Sequence, residues 1–180
     1  MVGQQRSGIA LTRDEVTLPY TIRGREESGR DRVVLVHSLG MAGAVWDAVA
    51  ERLAVNATVL TCDCRGHGAA TRPTGPYHLE TFGHDLADLL DSIGWESVHL
   101  AGASMGGNVS LQFTALYPTR VRTLGLVDTT AWYGPEAAEK WEQRAQKAEN
   151  GGLASMLDFQ MSRWFSDGFR QQQSPPVELC

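Results

Sequence analysis

The sequence predicts an α/β fold, a mostly parallel sheet with helices on both faces followed by the start of a helical cap. Three observations predict it. Up to residue 127, short apolar runs alternate with helix-period patterns, the order that right-handed βαβ units require. The runs are rich in β-branched residues and bounded by turn residues, as strands buried on both faces of a parallel sheet are. From Gly134 onward the alternation stops, and two helical patterns follow each other with no strand between them.

Taken in order, residues 9–12 and 16–22 read as a short antiparallel lead-in, and the polar, glycine-containing stretch 23–31 as an exposed loop. Residues 33–36, Val-Val-Leu-Val, form the first buried strand. Val45, Trp46, Val49 and Leu53 fall near helical spacing, so residues 43–54 predict a helix with one buried stripe. A second strand at 57–62 leads through a Gly/Pro-rich loop, 65–76, to a helix at 79–93. The third unit has a strand at 98–101, a helix at 106–116 and a further strand at 123–127. Helices at 135–149 and 153–165 make the cap. The organisation expected is a core over 1–133, a cap segment over 134–170 and an irregular tail over 171–180.

Composition narrows the function. The 180 residues are 42% hydrophobic and 21% charged, enough to pack one core with a small appendage. Sixteen Lys+Arg against twenty-one Asp+Glu give a net charge of −5, which repels a phosphate backbone or an anionic membrane surface. No run approaches the roughly 18 apolar residues of a membrane span, and residues 1–7 lack the apolar centre of a signal peptide, so the cytoplasm is the expected compartment. Cys62, Cys64 and Cys180 are expected reduced, and no Cys or His spacing completes a metal site.

One segment carries chemistry. The strand at 98–101 runs into Gly102-Ala-Ser104-Met-Gly106-Gly107 and then a helix, which is G-x-S-x-G in a strand–turn–helix setting. Such a turn is too sharp for a Cβ at the flanking positions, and it projects the Ser104 hydroxyl above the sheet at a helix start. There the positive helix end and the Met105 N–H can bind a developing oxyanion. The competing reading is a glycine-rich turn with Ser104 as a helix cap. A dinucleotide fingerprint fails because Ser104 stands where a Gly is needed, and a P-loop fails because Asn108 stands where Lys is needed. No cofactor and no metal are therefore expected.

The strand at 33–36 ends in His37-Ser38-Leu39-Gly40, where the Leu39 N–H is assigned as the second oxyanion donor. His37 is read as a buried residue that fixes this loop, not as a base. After the strand at 57–62, in Asp63-Cys-Arg-Gly-His-Gly68, Asp63 and Arg65 are expected to lock the loop by charge-assisted hydrogen bonds, with His67 as part of it. His84 is read as a solvated helix residue and His99 as packed.

These three segments, in this order, resemble the α/β-hydrolase fold family. Within it, the His-Ser-Leu-Gly loop, the Ser-Met-Gly-Gly elbow and Asp128-Thr-Thr-Ala-Trp-Tyr-Gly134 are most similar to the 3-oxoadipate enol-lactonase group, as are residues 151–156 and 163–166. The resemblance covers residues 8–170. It implies hydrolysis of a small lactone or carboxylic ester, a small-molecule substrate with no nucleic-acid or membrane partner, with Ser104 as nucleophile and the Leu39 and Met105 N–H groups as oxyanion hole. It also implies that the cap shapes an acyl pocket, with Trp132, Trp141, Met161 and Trp164 lining it or packing cap on core.

The sequence departs from that family at the base. The family order is Ser, then Asp or Glu, then His, whereas His37, His67, His78, His84 and His99 all precede Ser104. Asp128 stands where a triad carboxylate can come from, without an imidazole to orient. The strand 123–127 is expected as an open sheet edge, and the chain is read as a C-terminally truncated hydrolase lacking its last strands. The alternative reading is a non-catalytic, hydrolase-like chain that binds a ligand or partner.

Overall fold

A computed structural model describes residues 4–27 and 29–171. Cα packing divides the chain into two units, 1–130 and 131–180. The first holds one six-stranded sheet in the order β1-β2-β4-β3-β5-β6. β1 (Gln5–Leu11) and β2 (Thr17–Arg23) form an antiparallel hairpin, and β2 pairs antiparallel with β4 (Thr58–Cys62). From there the sheet is parallel through β3 (Arg32–Val36), β5 (Val98–Ala103) and β6 (Val121–Val127).

The lead-in strand begins four residues before its sequence pattern does. Gln5 pairs with Arg23 and Arg6 with Ile22, so β1 starts where its partner's ladder lets it, not where its own side chains become apolar. The pattern at 43–54 also splits, into a 3-10 turn (Gly43–Trp46) and α1 (Asp47–Leu53), and the stripe expected to be buried is not: Val45, Val49 and Leu53 are exposed, because the split turns Ala50, with the half-buried Trp46 and Ala54, toward the sheet instead. The Arg30 guanidinium donates to the carbonyls of Ala54, Val55 and Ala57 and so satisfies the end of α1.

α2 (Leu79–Ser92) and α3 (Met105–Leu116) cover one face of the sheet. Val34, Val36, Leu60, Leu100, Phe82, Leu86, Leu89, Leu90, Val109 and Phe113 form its main core. α3 ends before Pro118, whose ring disfavours helical backbone at the preceding Tyr117. A smaller cluster of Leu35, Ala50, Ala57 and Val59 packs under α1 on the other face. β6 is the edge strand on the parallel side of the sheet, and its Leu126 and Val127 are 45% and 49% exposed.

The second unit is helical: α4 (Ala137–Gly151), a 3-10 turn (Leu153–Met156), α5 (Leu157–Trp164) and α6 (Asp167–Gln171). The single pattern at 153–165 is thus two elements. Inside this unit Trp141 packs edge-to-face on Tyr133, ring centres 5.8 Å apart, with the Arg144 guanidinium 4.9 Å above it. Trp132 and Trp164 are exposed, and Met161 is half-buried. The tail with Cys180 lies outside the described residues. No helix among the described residues is long and apolar enough to cross a membrane.

Candidate active site

The strand order reverses at β3. The chain goes from β3 to β4 on one side and then crosses back through α2 to β5 on the other, and the loops after β3 and β5 lead to helices on opposite faces of the sheet. Such a switch point is where open parallel sheets place ligands. The register Val36↔Gly102 puts Ser38 and Ser104 equally far, two residues, beyond the paired position.

Ser104 sits between β5 and α3 with φ 49° and ψ −114°. This is a strained conformation for a residue with a side chain, of the kind that persists only when its surroundings enforce it. Glycines make it sterically feasible. A Cβ on Gly102 would overlap the Gly106 carbonyl and lie 2.6 Å from Gly107 N; on Gly106 it would overlap Val36 O and lie 2.6 Å from His37 O. Both obstacles are backbone and cannot swing aside. The half-buried Ser104 hydroxyl makes no capping bond to α3, so the helix-cap reading of this serine does not hold.

Met105 is the first residue of α3, where N–H groups have no intrahelical acceptor. Leu39 is in the exposed turn after β3. Neither N–H donates a backbone hydrogen bond to another described residue. Asp128 lies at the end of β6, exposed and with φ 49°, and no described histidine is paired with it.

The sequence profile of the alpha/beta hydrolase fold matches residues 31–170. The chain belongs to this family. It is 30% identical over 168 residues to 3-oxoadipate enol-lactonase 2 of Acinetobacter baylyi, covering 93% of this chain and 61% of that protein. The enol-lactonase crystal structure from Burkholderia xenovorans superposes with TM-score 0.86 at 30% identity, covering 96% of this chain and 64% of that one. A thermophilic esterase from Thermogutta terrifontis gives TM-score 0.83 at 26% identity, with 97% and 64% covered. The chain thus spans less than two thirds of the length of each.

In this chain His37, His67, His84 and His99 hydrogen-bond groups other than Ser104. His37 is fully buried; its Nδ1–H donates to Ser38 O at 2.8 Å, and the Cys64 N–H donates to its Nε2 at 3.0 Å. That pair of partners requires the neutral ring protonated on Nδ1. Burial pushes the His37 pKa down, aided by the nearby His67 and opposed by the bond to Ser38. His67 Nδ1 meets the Arg65 carbonyl at 3.0 Å, and His78 is exposed at the head of α2. His84 departs from the solvated residue expected: it is half-buried and hydrogen-bonded to the Tyr117 hydroxyl at 2.7 Å, a partner from a different helix end. His99 is 29% exposed at its side chain, with Nδ1 2.8 Å from Thr123 Oγ1 and Nε2 3.4 Å from Asp31.

The loop after β4 is locked by charge. Asp63 accepts from Gly43 N at 2.8 Å and Ala69 N at 2.9 Å, tying this loop to the one after β3. Arg65, buried, forks between Asp85 and Asp14. The Arg65 guanidinium holds Asp14 down at about 2, while burial pushes Asp85 up against the pull of the same guanidinium. Cys62 and Cys64 are buried free thiols, and their mutual hydrogen bond and burial raise the Cys64 pKa. Among the described residues, no three His, Cys, Asp or Glu side chains are grouped as a metal would need.

Proposed function

We propose that this chain is the nucleophile-bearing part of a serine hydrolase for a small lactone or carboxylic ester, of the enol-lactonase type. The observation that carries the reading is the Ser104 backbone at φ 49°, with its hydroxyl unspent at the head of α3. Ser104 Oγ attacks the carbonyl carbon and loses its proton, the ester or lactone C–O bond breaks, the departing alkoxide takes up that proton to leave as the alcohol or enol (still tethered in a lactone), and the acyl-enzyme is then hydrolysed by water to the acid and free Ser104. The Leu39 and Met105 N–H groups bind the oxyanion of the tetrahedral intermediate. Asp128 is the carboxylate best situated to orient a base. The chemical class of substrate follows from the relatives, a lactonase and an esterase.

A serine hydroxyl needs a base to take its proton, and none of the five histidines hydrogen-bonds Ser104. This favours a second reading, a hydrolase-like protein that binds without turning over. Turnover of p-nitrophenyl acetate and labelling by a fluorophosphonate, each compared with Ser104→Ala, separate the two. Labelling and hydrolysis lost in the variant support the nucleophile. Oxyanion binding alone can leave a residual rate of roughly 10³–10⁴ over water, so only a faster rate implies a base. A wild-type chain that is folded, unlabelled and no faster than Ser104→Ala defeats the enzymatic reading.

A further inference from the structure

We propose that Thr129 and Ser38 are positioning residues that brace the Ser104 elbow from its two sides; the proposal rests on Ser104 being the nucleophile. Two side-chain hydroxyls reach the carbonyls on either side of that turn. Ser38 Oγ, from the loop after β3, donates to Ala103 O at 3.1 Å. Thr129 Oγ1, just past β6, lies 3.1 Å from both Ser104 O and Val127 O and shares its one proton between them. The Ser104 N–H itself donates to Val127 O at 2.9 Å. Ser104 is therefore tied at its amide and its carbonyl to the end of the neighbouring strand.

The glycine pattern carries the mark of this brace. G-x-S-x-G needs Gly102 and Gly106, yet a further glycine follows. A Cβ at Gly107 would overlap Thr129 Oγ1 and lie 2.7 Å from Thr129 Cβ. Gly107 is the position that admits Thr129 against the turn. Asp128, at φ 49°, provides the bend between β6 and Thr129. Ser104 O also accepts from Gly107 N at 3.0 Å and Asn108 N at 3.2 Å, so the brace acts on the acceptor that starts α3.

A strained turn relaxes unless its polar groups are held. With the Thr129 hydroxyl gone, Ser104 O keeps only its helical donors, and the Ser104 side chain drifts from the oxyanion donors. Misplacing a nucleophile by ~1 Å costs up to about a hundredfold in rate. Ser38 matters twice, because it also fixes the neighbouring Leu39 N–H.

The test compares Thr129→Val, which keeps the shape and removes the hydroxyl, with Thr129→Ser, which keeps the hydroxyl. Ser38→Ala removes the other brace from a separate loop and serves if Thr129→Val does not fold. Fluorophosphonate labelling of Thr129→Val is expected to slow by roughly tenfold or more, and ester kcat to fall with KM within about twofold. Thr129→Ser restores both. Amide exchange at Gly107 and Asn108 speeds in Thr129→Val and not in Thr129→Ser. Wild-type labelling and exchange in Thr129→Val, or a Thr129→Ser chain as slow as Thr129→Val, overturn the proposal. If the wild-type chain is not labelled, the nucleophile reading fails by itself, and exchange at Gly107 and Asn108 still decides the brace: unchanged exchange removes it.

Discussion

Replacing His37 by Phe keeps a ring of similar size and removes both ring nitrogens, leaving the Cys64 N–H without its partner and the Ser38 carbonyl with the Met41 N–H at 3.2 Å. The Cys64 amide is buried and bears the full penalty of an unmade bond, about 1–3 kcal/mol; the Ser38 carbonyl is half-buried and adds less. The expected loss at pH 8 is about 1–3 kcal/mol, a sizeable share of the roughly 5–15 kcal/mol typical of a domain. The pH dependence has a definite sign. Burial lowers the folded-state pKa of His37 below its ordinary 6.5, so the unfolded chain takes up a proton that the folded chain refuses. The stability held by neutral His37 is complete above pH 6.5 and falls as the pH drops below it, by at most about 1.4 kcal/mol per unit. Phe has nothing to titrate, so the gap between the two chains narrows on acidification. Urea unfolding of both at pH 8, 6.5 and 5.5 measures it. A gap that is constant or widens toward pH 5.5 refutes the assigned neutral tautomer and its cause.

Gly106→Ala puts a methyl group into the Val36 carbonyl and within 2.6 Å of His37 O, both backbone of the central strand end. We expect a loss above about 3 kcal/mol or no soluble folded chain, and a near-normal urea midpoint contradicts the packing described. Arg65→Met strands the Asp85 carboxylate in the core and should cost about 3–5 kcal/mol at pH 7, with much of it recovered in Arg65→Met/Asp85→Leu. Equal stability of single and double variants speaks against a buried charge pair. Asp14 titrates with the same sign as His37 but at lower pH. Its depressed pKa means its contribution is present above about pH 3.8 and lost as the pH falls toward about 2, and its 48% side-chain exposure keeps that contribution small. A Asp14→Asn chain should match wild type at pH 2 and fall slightly short at pH 6.

The strand and helix order was legible because burial imposes periodicity, which the run 33–36 records directly, whereas the stripe at Val45, Val49 and Leu53 was apolar without being buried. Ser104 was legible because its turn admits only glycine at two flanking positions, a steric demand written in the sequence. Features that depend on a distant partner were not. β1 extends to Gln5 through pairing with Arg23, and His84 meets Tyr117, thirty-three residues away. The role of Gly107 depends on Thr129, brought to it only when β6 docks on β5. Asp63 and Arg65 were readable as loop locks from charge, whereas their acceptor and donor partners, Gly43, Ala69, Asp14 and Asp85, needed the fold.

The pairing of Val36 with Gly102 ties the site to a ladder instead of to its loops. A slip of one residue between β3 and β5 would turn each side chain to the opposite face and shift the two loops by roughly 3.3 Å. Ser38 and Ala103 would then no longer meet. With Ser104 in the role proposed for it, its reactivity is a readout of strand registration: in a mixture of folded and misaligned chains, a serine-directed probe would count those whose central pair has closed in step.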